Sequence, residues 1–111
     1  LRLADRIAIM KDGIIEQLDT PDNIVLNPAT DYVKKFTQDV PREKVLKIES
    51  IMDPVDENST NTLKISKDAI IETVAESILN SNESIAVIDP KNNQIVGALH
   101  PSKVIKVLFG H

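Results

Sequence analysis

The 111-residue sequence contains no cysteine and no tryptophan, and only two histidines. Without cysteine, disulfides, thiolate metal sites and cysteine nucleophiles are excluded. His100 and His111 alone are too few for a multi-histidine metal site, so we expect no metal in this chain. No apolar run approaches the roughly 18 residues of a transmembrane helix, and the charges among the first six residues do not fit a signal peptide. We therefore expect a cytoplasmic chain.

Motifs for phosphate binding and nucleophilic catalysis are also missing. The three glycines, Gly13, Gly97 and Gly110, lie far apart, and no Gly-Lys-Ser/Thr sequence follows any of them. There is no Gly-x-Ser-x-Gly sequence. Glu72 and Glu76 lie four residues apart, and we interpret them as solvated groups on the polar face of a helix. We predict no catalytic residue, no cofactor and no enzymatic activity for this chain by itself.

Neither sign of charge dominates the sequence. Thirteen basic and 17 acidic residues give a formal net charge of −4, and both halves of the chain carry both signs. A nucleic-acid polymer is therefore not expected as a partner. The sequence begins with Leu1, and its end follows an apolar helical face directly. These two features predict that the chain is part of a longer protein.

The first 40 residues carry strong local signals for a hairpin and two helices. Two apolar runs flank Lys11-Asp12-Gly13, and Asp-Gly suits a two-residue turn, so residues 6–18 predict a β-hairpin. Thr20 before Pro21 predicts the start of a short helix, and Thr30 predicts a second. If the rest of a larger domain is missing, these elements should expose an apolar patch. Its expected members are Ile7, Ile9, Ile14, Tyr32 and Phe36.

The hydrophobic pattern of the sequence changes near Pro41, and the residues after it predict an α+β unit. Residues 44–52 are apolar at mixed spacing and indicate a connecting strand or helix. From Leu63 the order is strand, helix, strand, strand, helix, with Ser66 as the expected cap of the first helix and Pro101 at the start of the last. We predict two domains, residues 1–44 and 45–111.

The N-terminal part resembles the C-terminal end of an ABC-transporter ATPase subunit. The resemblance rests on residues 3–13, on Thr20-Pro21-Asp22 and on Asn27-Pro28. The continuation from Asp31-Tyr32-Val33 to Asp39-Val40 resembles the subfamily that imports glycine betaine, L-proline and related osmoprotectants. The resemblance implies ATP and Mg²⁺ for the parent subunit only. It also implies membrane-spanning importer subunits as partners, and a peripheral location at the inner face of the cell membrane.

The C-terminal part resembles one CBS motif, through Ile51-Met52-Asp53-Pro54, the order of its elements and Gly97-Ala98-Leu99. CBS motifs act in pairs, so either a second motif follows or two chains pair. The resemblance implies an adenine nucleotide or cyclic dinucleotide as a possible ligand. The candidate ligand-binding residues are Met52, Asp53, Pro54, His100, Ser102 and Lys103.

The end of this motif departs from the nucleotide-binding pattern. His100 stands at the usual Thr position and Lys103 at the usual Asp position, and lysine cannot accept a hydrogen bond from a ribose hydroxyl. Three interpretations stay open. The residues are ordinary surface groups at a helix start, or Ser102, Lys103 and the helix N-terminus bind phosphate, or they belong to an interface.

A single CBS motif of about 60 residues is near the lower limit for a self-sufficient core. Both of its helices carry broad apolar faces, and a twofold pair is the commonest way to cover such a surface. We therefore predict a homodimer. The predicted interface residues are Ile70, Ile71, Val74, Ile78, Val104, Ile105 and Leu108. The leading hypothesis is a regulatory and dimerisation part of an osmoprotectant importer's ATP-binding subunit, and the alternative is a ligand-sensing CBS module.

Overall fold

The computed structural model of the chain describes residues 6–57 and 63–109. The chain forms two compact units, Leu1–Pro41 and Arg42–His111. The division falls where the hydrophobic pattern of the sequence resets. Each unit has secondary structure and buried apolar residues of its own.

Unit 1 begins with the predicted β-hairpin. Strand β1 (Ile7–Lys11) pairs antiparallel with strand β2 (Ile14–Asp19). The turn residues Asp12 and Gly13 both have positive φ, 51° and 79°. This is the backbone conformation that a tight two-residue hairpin turn requires. The predicted hairpin is confirmed.

Two short helices follow, and each begins at a threonine cap as predicted. Helix α1 spans Pro21–Leu26 and helix α2 spans Asp31–Thr37. The Thr20 hydroxyl accepts a hydrogen bond from the amide of Asn23, and the Thr30 hydroxyl accepts one from the amide of Val33, both at 3.2 Å. Each cap satisfies an amide that lacks an intrahelical partner.

The core of unit 1 corrects part of the predicted exposed patch. Ile9 is buried in a cluster with Ile24 and Val33, and Tyr32 packs against this cluster. The prediction was wrong for Ile9, because the two helices cover the inner face of the hairpin, whereas Tyr32 is partly buried. The remaining members of the predicted patch are exposed, as expected: Ile7, Ile14 and Phe36.

Unit 2 contains a mixed three-stranded sheet with the predicted order of elements. Strand β3 (Lys64–Ser66) runs parallel to β4 (Ile85–Asp89), and β4 pairs antiparallel with β5 (Gln94–Leu99). Helix α4 (Ile71–Leu79) connects β3 to β4, and helix α5 (Pro101–Phe109) follows β5. The parallel pair needs a crossover, and α4 provides it.

The start of α4 differs from the prediction. Ser66 lies in β3, and its hydroxyl accepts a hydrogen bond from the amide of Asp68 at 3.1 Å. The helix begins at Ile71 after Ile70, which makes no side-chain cap. The Ile71 amide instead donates to the carbonyl of Leu46 at 2.9 Å. The prediction that Ser66 caps the helix was wrong, because a backbone carbonyl distant in sequence satisfies that amide.

Residues 42–53, which we call the strap, enter unit 2 from Pro41. The strap contains helix α3 (Arg42–Val45) and a single 3₁₀ turn (Ile48–Ser50). Its apolar side chains Leu46, Ile48 and Ile51 are buried. The mixed apolar spacing of this region therefore corresponds to two short helical pieces. The side chains buried completely in unit 2 are Leu46, Ile48, Ile71, Ile78, Ile85, Val87, Leu99 and Val104.

Candidate functional site

The predicted ligand-binding residues begin where the strap ends, beside β5. The amide of Asp53 donates to the carbonyl of Ala98 at 2.8 Å, and the amide of Ala98 donates to the carbonyl of Asp53 at 2.9 Å. This reciprocal pair forms an isolated antiparallel bridge. The strap thereby adds one paired residue to the edge of the sheet.

Gly97 permits this close approach. A Cβ atom at position 97 would lie 2.6 Å from the sulfur of Met52 and 2.8 Å from the carbonyl oxygen of Asp53. Both distances are below normal van der Waals contact. Glycine is therefore needed because another backbone passes close to the strand.

His100 and Ser102 form a local cap at the start of α5. The Ser102 amide donates to Nδ1 of His100 at 3.1 Å, and the Ser102 hydroxyl lies 2.8 Å from the same nitrogen. The Lys103 amide donates to the carbonyl of His100 at 2.9 Å, and Pro101 has no amide hydrogen. The backbone amides of residues 101–103 therefore leave no donor directed at a phosphate.

Lys103 pairs with Asp53. The Lys103 ammonium lies 2.6 Å from Oδ1 of Asp53, and both side chains are partly exposed. Charge compensation by this carboxylate weakens the attraction of Lys103 for an anion. The structure thus brings Met52 and Asp53 to β5 and links Asp53 to the start of α5. Pro54 follows at the surface.

A cleft of about 350 Å³ lies beside β4 and β5, and its lining includes Gly97 and Ala98, the residues that Met52 and Asp53 approach. None of the six predicted ligand-binding residues is among the described residues that line this cleft. Its apolar wall comes from Ile85 and Ile95, and Ala86 and Gly97 line it as well. The other lining residues are Val55, Asp56, Glu57, Lys64, Ser84 and Ala98. Small residues on adjacent strands are the sequence signal from which this cleft could have been predicted.

The predicted interface residues separate into buried and accessible groups. Ile71, Ile78 and Val104 are completely buried within unit 2. The accessibility of Ile70, Val74 and Leu108 is intermediate. On α5, Ile105 is 50% exposed and Phe109, one turn later, is 75% exposed. The exposed apolar surface of α5 is therefore centred on Ile105 and Phe109.

Comparison with known proteins relates the whole chain to transporter subunits. The chain is 62% identical over 109 residues to the trimethylamine N-oxide transport system ATP-binding protein of Pelagibacter ubique (strain HTCC1062). That alignment covers 98% of this chain and 32% of the relative. The chain is therefore similar, along nearly its whole length, to ABC-transporter ATP-binding subunits named for the transport of betaines, carnitine and trimethylamine N-oxide. It corresponds to a C-terminal part of these subunits, and the resemblance predicted from residues 3–13 and their continuation is confirmed.

Two further subunits of this kind match nearly the entire chain. The glycine betaine transport ATP-binding protein of Bacillus subtilis (strain 168) is 36% identical, with 96% of this chain and 24% of the relative covered. The glycine betaine/carnitine transport ATP-binding protein of Listeria monocytogenes serotype 1/2a (strain 10403S) is 32% identical, with 97% and 26% covered. The chain thus spans about a third or less of these relatives. No family model and no solved structure matches the chain.

The part of the chain that the structure describes contains no cluster of three or more His, Cys, Asp or Glu side chains suited to a metal ion. Over the same residues, every helix is too short or too polar to cross a lipid bilayer.

Proposed function

We propose that this chain is the regulatory and dimerisation part of the ATP-binding subunit of an ABC importer for glycine betaine, L-proline, trimethylamine N-oxide or a related osmoprotectant. The observation that carries the proposal is the extent of the similarity. An alignment that covers 98% of the chain includes nearly all of both units. Unit 2 is therefore a regular part of such subunits and not an unrelated addition.

The two units fit two different roles in such a subunit. We propose that residues 1–44 are the end of the ATPase domain and that residues 45–111 are one CBS motif. The strand–helix–strand–strand–helix order supports the second assignment. The close approach of Met52 and Asp53 to Gly97 and Ala98 supports it as well, because it joins the two sequence segments that carry the resemblance.

The activity of the complete subunit is part of the same proposal. We expect it to bind ATP and Mg²⁺ through residues outside this chain and to hydrolyse ATP. Its partners would be membrane-spanning importer subunits, which would hold it at the cytoplasmic face of the membrane. The relatives are named as transport ATP-binding proteins, which supports this expectation.

The exposed apolar side chains of α5 support the proposal of dimerisation through this helix. Ile105 and Phe109 lie four residues apart, on one side of the helix, and both are accessible. A second copy would cover them and itself be covered in return. Light scattering over a dilution series tests this idea. We expect a dimer at micromolar concentration and a monomer for Ile105→Asp.

The control is Lys106→Asp, which also places an acidic group on the exposed part of α5. It should leave the dimer intact, since position 106 is already charged. A monomeric parent chain would contradict the dimer proposal. If Ile105→Asp remains a dimer, the interface does not include this part of α5.

A second candidate function is the sensing of a nucleotide, and the cleft favours it. Its volume of about 350 Å³ lies within the usual range for small-molecule sites, about 300–1,000 Å³. Isothermal titration calorimetry with AMP, ATP and cyclic di-AMP tests this function. Ala86→Leu, which fills the cleft, should abolish binding there, whereas Lys103→Gln should abolish binding at the predicted cluster. Absence of binding by all three nucleotides would reject ligand sensing by these molecules.

A further inference from the structure

The strap makes contacts at the start of α4 and at the end of α5. The first and last turns of a helix contain backbone groups without intrahelical partners. The strap carbonyl of Leu46 accepts from the first amide of α4, that of Ile71, at 2.9 Å. The Arg42 guanidinium donates to the carbonyl of Val107 in the last turn of α5 at 2.8 Å.

The strap also reaches the opposite end of α5. Asp53, its last residue, pairs with Lys103 in the first turn of that helix at 2.6 Å. The charges at the two ends of the strap match the helix dipole, because an acidic group lies near the helix start and a basic group near its end. The same twelve-residue segment therefore holds α5 at both of its termini.

Buried side chains and backbone hydrogen bonds hold the middle of the strap, between its two end contacts, to the rest of unit 2. Leu46 and Ile48 are completely buried, and Ile51 is 4% exposed. The amide of Ile48 donates to the carbonyl of Ala69 at 2.9 Å, and the amide of Glu49 donates to the carbonyl of Lys67 at 3.0 Å. With its centre anchored in this way, the strap is not a loose tether between two surface contacts.

We propose that the strap is a coupling element that transmits the position of α5 to Arg42, the first residue of unit 2. Helix α5 carries the exposed Ile105 and Phe109. A displacement of α5 acts on Arg42 through the Val107 carbonyl and on Asp53 through the Lys103 ammonium. The arrangement gives the junction at Pro41 a direct mechanical link to the most exposed apolar part of unit 2.

Hydrogen exchange in the complete subunit tests the coupling. Arg42→Gln removes the positive charge that contacts the Val107 carbonyl in the last turn of α5. We expect several-fold faster exchange not only for residues 106–109 but also for the paired amides of Asp53 and Ala98. Asp53→Asn should likewise speed exchange at the far end of α5. Lys103→Gln breaks the same ion pair from the helix side, and it serves as the second variant if Asp53→Asn does not fold.

The matched control is Lys44→Gln, which removes an exposed charge within the strap. It should change exchange at neither end of α5, and the hairpin of unit 1 should keep its exchange pattern in every variant. Faster exchange confined to the end where each substitution lies would overturn the proposal, because the contacts would then be independent. An effect of Lys44→Gln equal to that of Arg42→Gln would overturn it as well.

Discussion

Gly97 is the residue at which a single added methyl group should disturb the candidate site most directly. We expect Gly97→Ala to lower the free energy of unfolding of unit 2 by about 1–3 kcal/mol, the usual cost of overpacking. The new Cβ would lie 2.6 Å from the Met52 sulfur and 2.8 Å from the Asp53 carbonyl oxygen. Urea unfolding followed by circular dichroism measures the loss.

A second substitution separates the two clashes at Gly97. Met52→Ala removes the flexible side chain but leaves the Asp53 carbonyl in place. In this background Gly97→Ala should cost less than in the parent, yet still more than zero, since a backbone atom cannot move as easily as a thioether. Equal urea midpoints for the parent chain and Gly97→Ala would contradict the close approach.

Asp19 should give unit 1 a defined sensitivity to acid. Its carboxylate accepts a hydrogen bond from the Asn23 side-chain amide and another from the Thr20 backbone amide, which lower the pKa of Asp19 below its ordinary 3.8. Because the folded-state pKa is lowered, this stabilisation is complete above about pH 3.8 and is lost as the pH falls through the lowered value.

Titration by nuclear magnetic resonance tests this assignment. Asn23→Ala should raise the pKa of Asp19 toward its ordinary value, because the largest cause of the shift is removed. Asn27→Ala is the control, since the Asn27 amide donates to the Asn23 side-chain oxygen and not to Asp19. A midpoint for Asp19 that does not respond to Asn23→Ala would show that its other partners dominate.

The helices of unit 1 depend on their threonine caps. We expect Thr20→Ala and Thr30→Ala each to lower the free energy of unfolding by about 1 kcal/mol, because each leaves one helix amide without its partner. Thr37→Ala is the matched control. Its hydroxyl donates back to the Val33 carbonyl inside α2 and caps no amide, so a smaller loss is expected in thermal unfolding. Equal losses for all three variants would argue against the caps as the cause.

Elements with local signals could be predicted from the sequence, and elements that depend on distant partners could not. The hairpin turn at Asp12-Gly13 and the caps at Thr20 and Thr30 are encoded within a few residues. The start of α4 is different. Its first amide bonds to Leu46, 25 positions earlier in the chain, so the prediction of Ser66 as the cap was wrong.

The candidate site could likewise be predicted only in part, because its contacts join residues that are distant in sequence. Asp53 and Lys103 are 50 positions apart, and the resemblance to a CBS motif placed both in one group without predicting their ion pair. Helical periodicity identified the apolar faces of α4 and α5. It did not distinguish Ile71 and Val104, which fill the core of unit 2, from Ile105, which is exposed.

At the scale of the whole molecule, the proposed role in regulation and dimerisation predicts that the chain by itself does not hydrolyse ATP. The sequence has no Gly-Lys-Ser/Thr motif to hold ATP phosphates. We expect ATP hydrolysis by the purified 111-residue chain to equal the buffer background in a phosphate-release assay. A rate above background that persists through a second purification would contradict this expectation.

The contacts of the strap also determine how unit 2 would respond to mechanical tension. They follow one another in chain order: Arg42 to Val107, Leu46 to Ile71, Glu49 to Lys67, and Asp53 to Ala98. Tension that enters through Pro41 reaches Arg42 first and the later contacts only after the earlier ones have broken. Bonds loaded one at a time yield at lower force than bonds loaded together. The strap would therefore peel from its N-terminal end, and α5 would lose its C-terminal contact before the edge of the sheet opened.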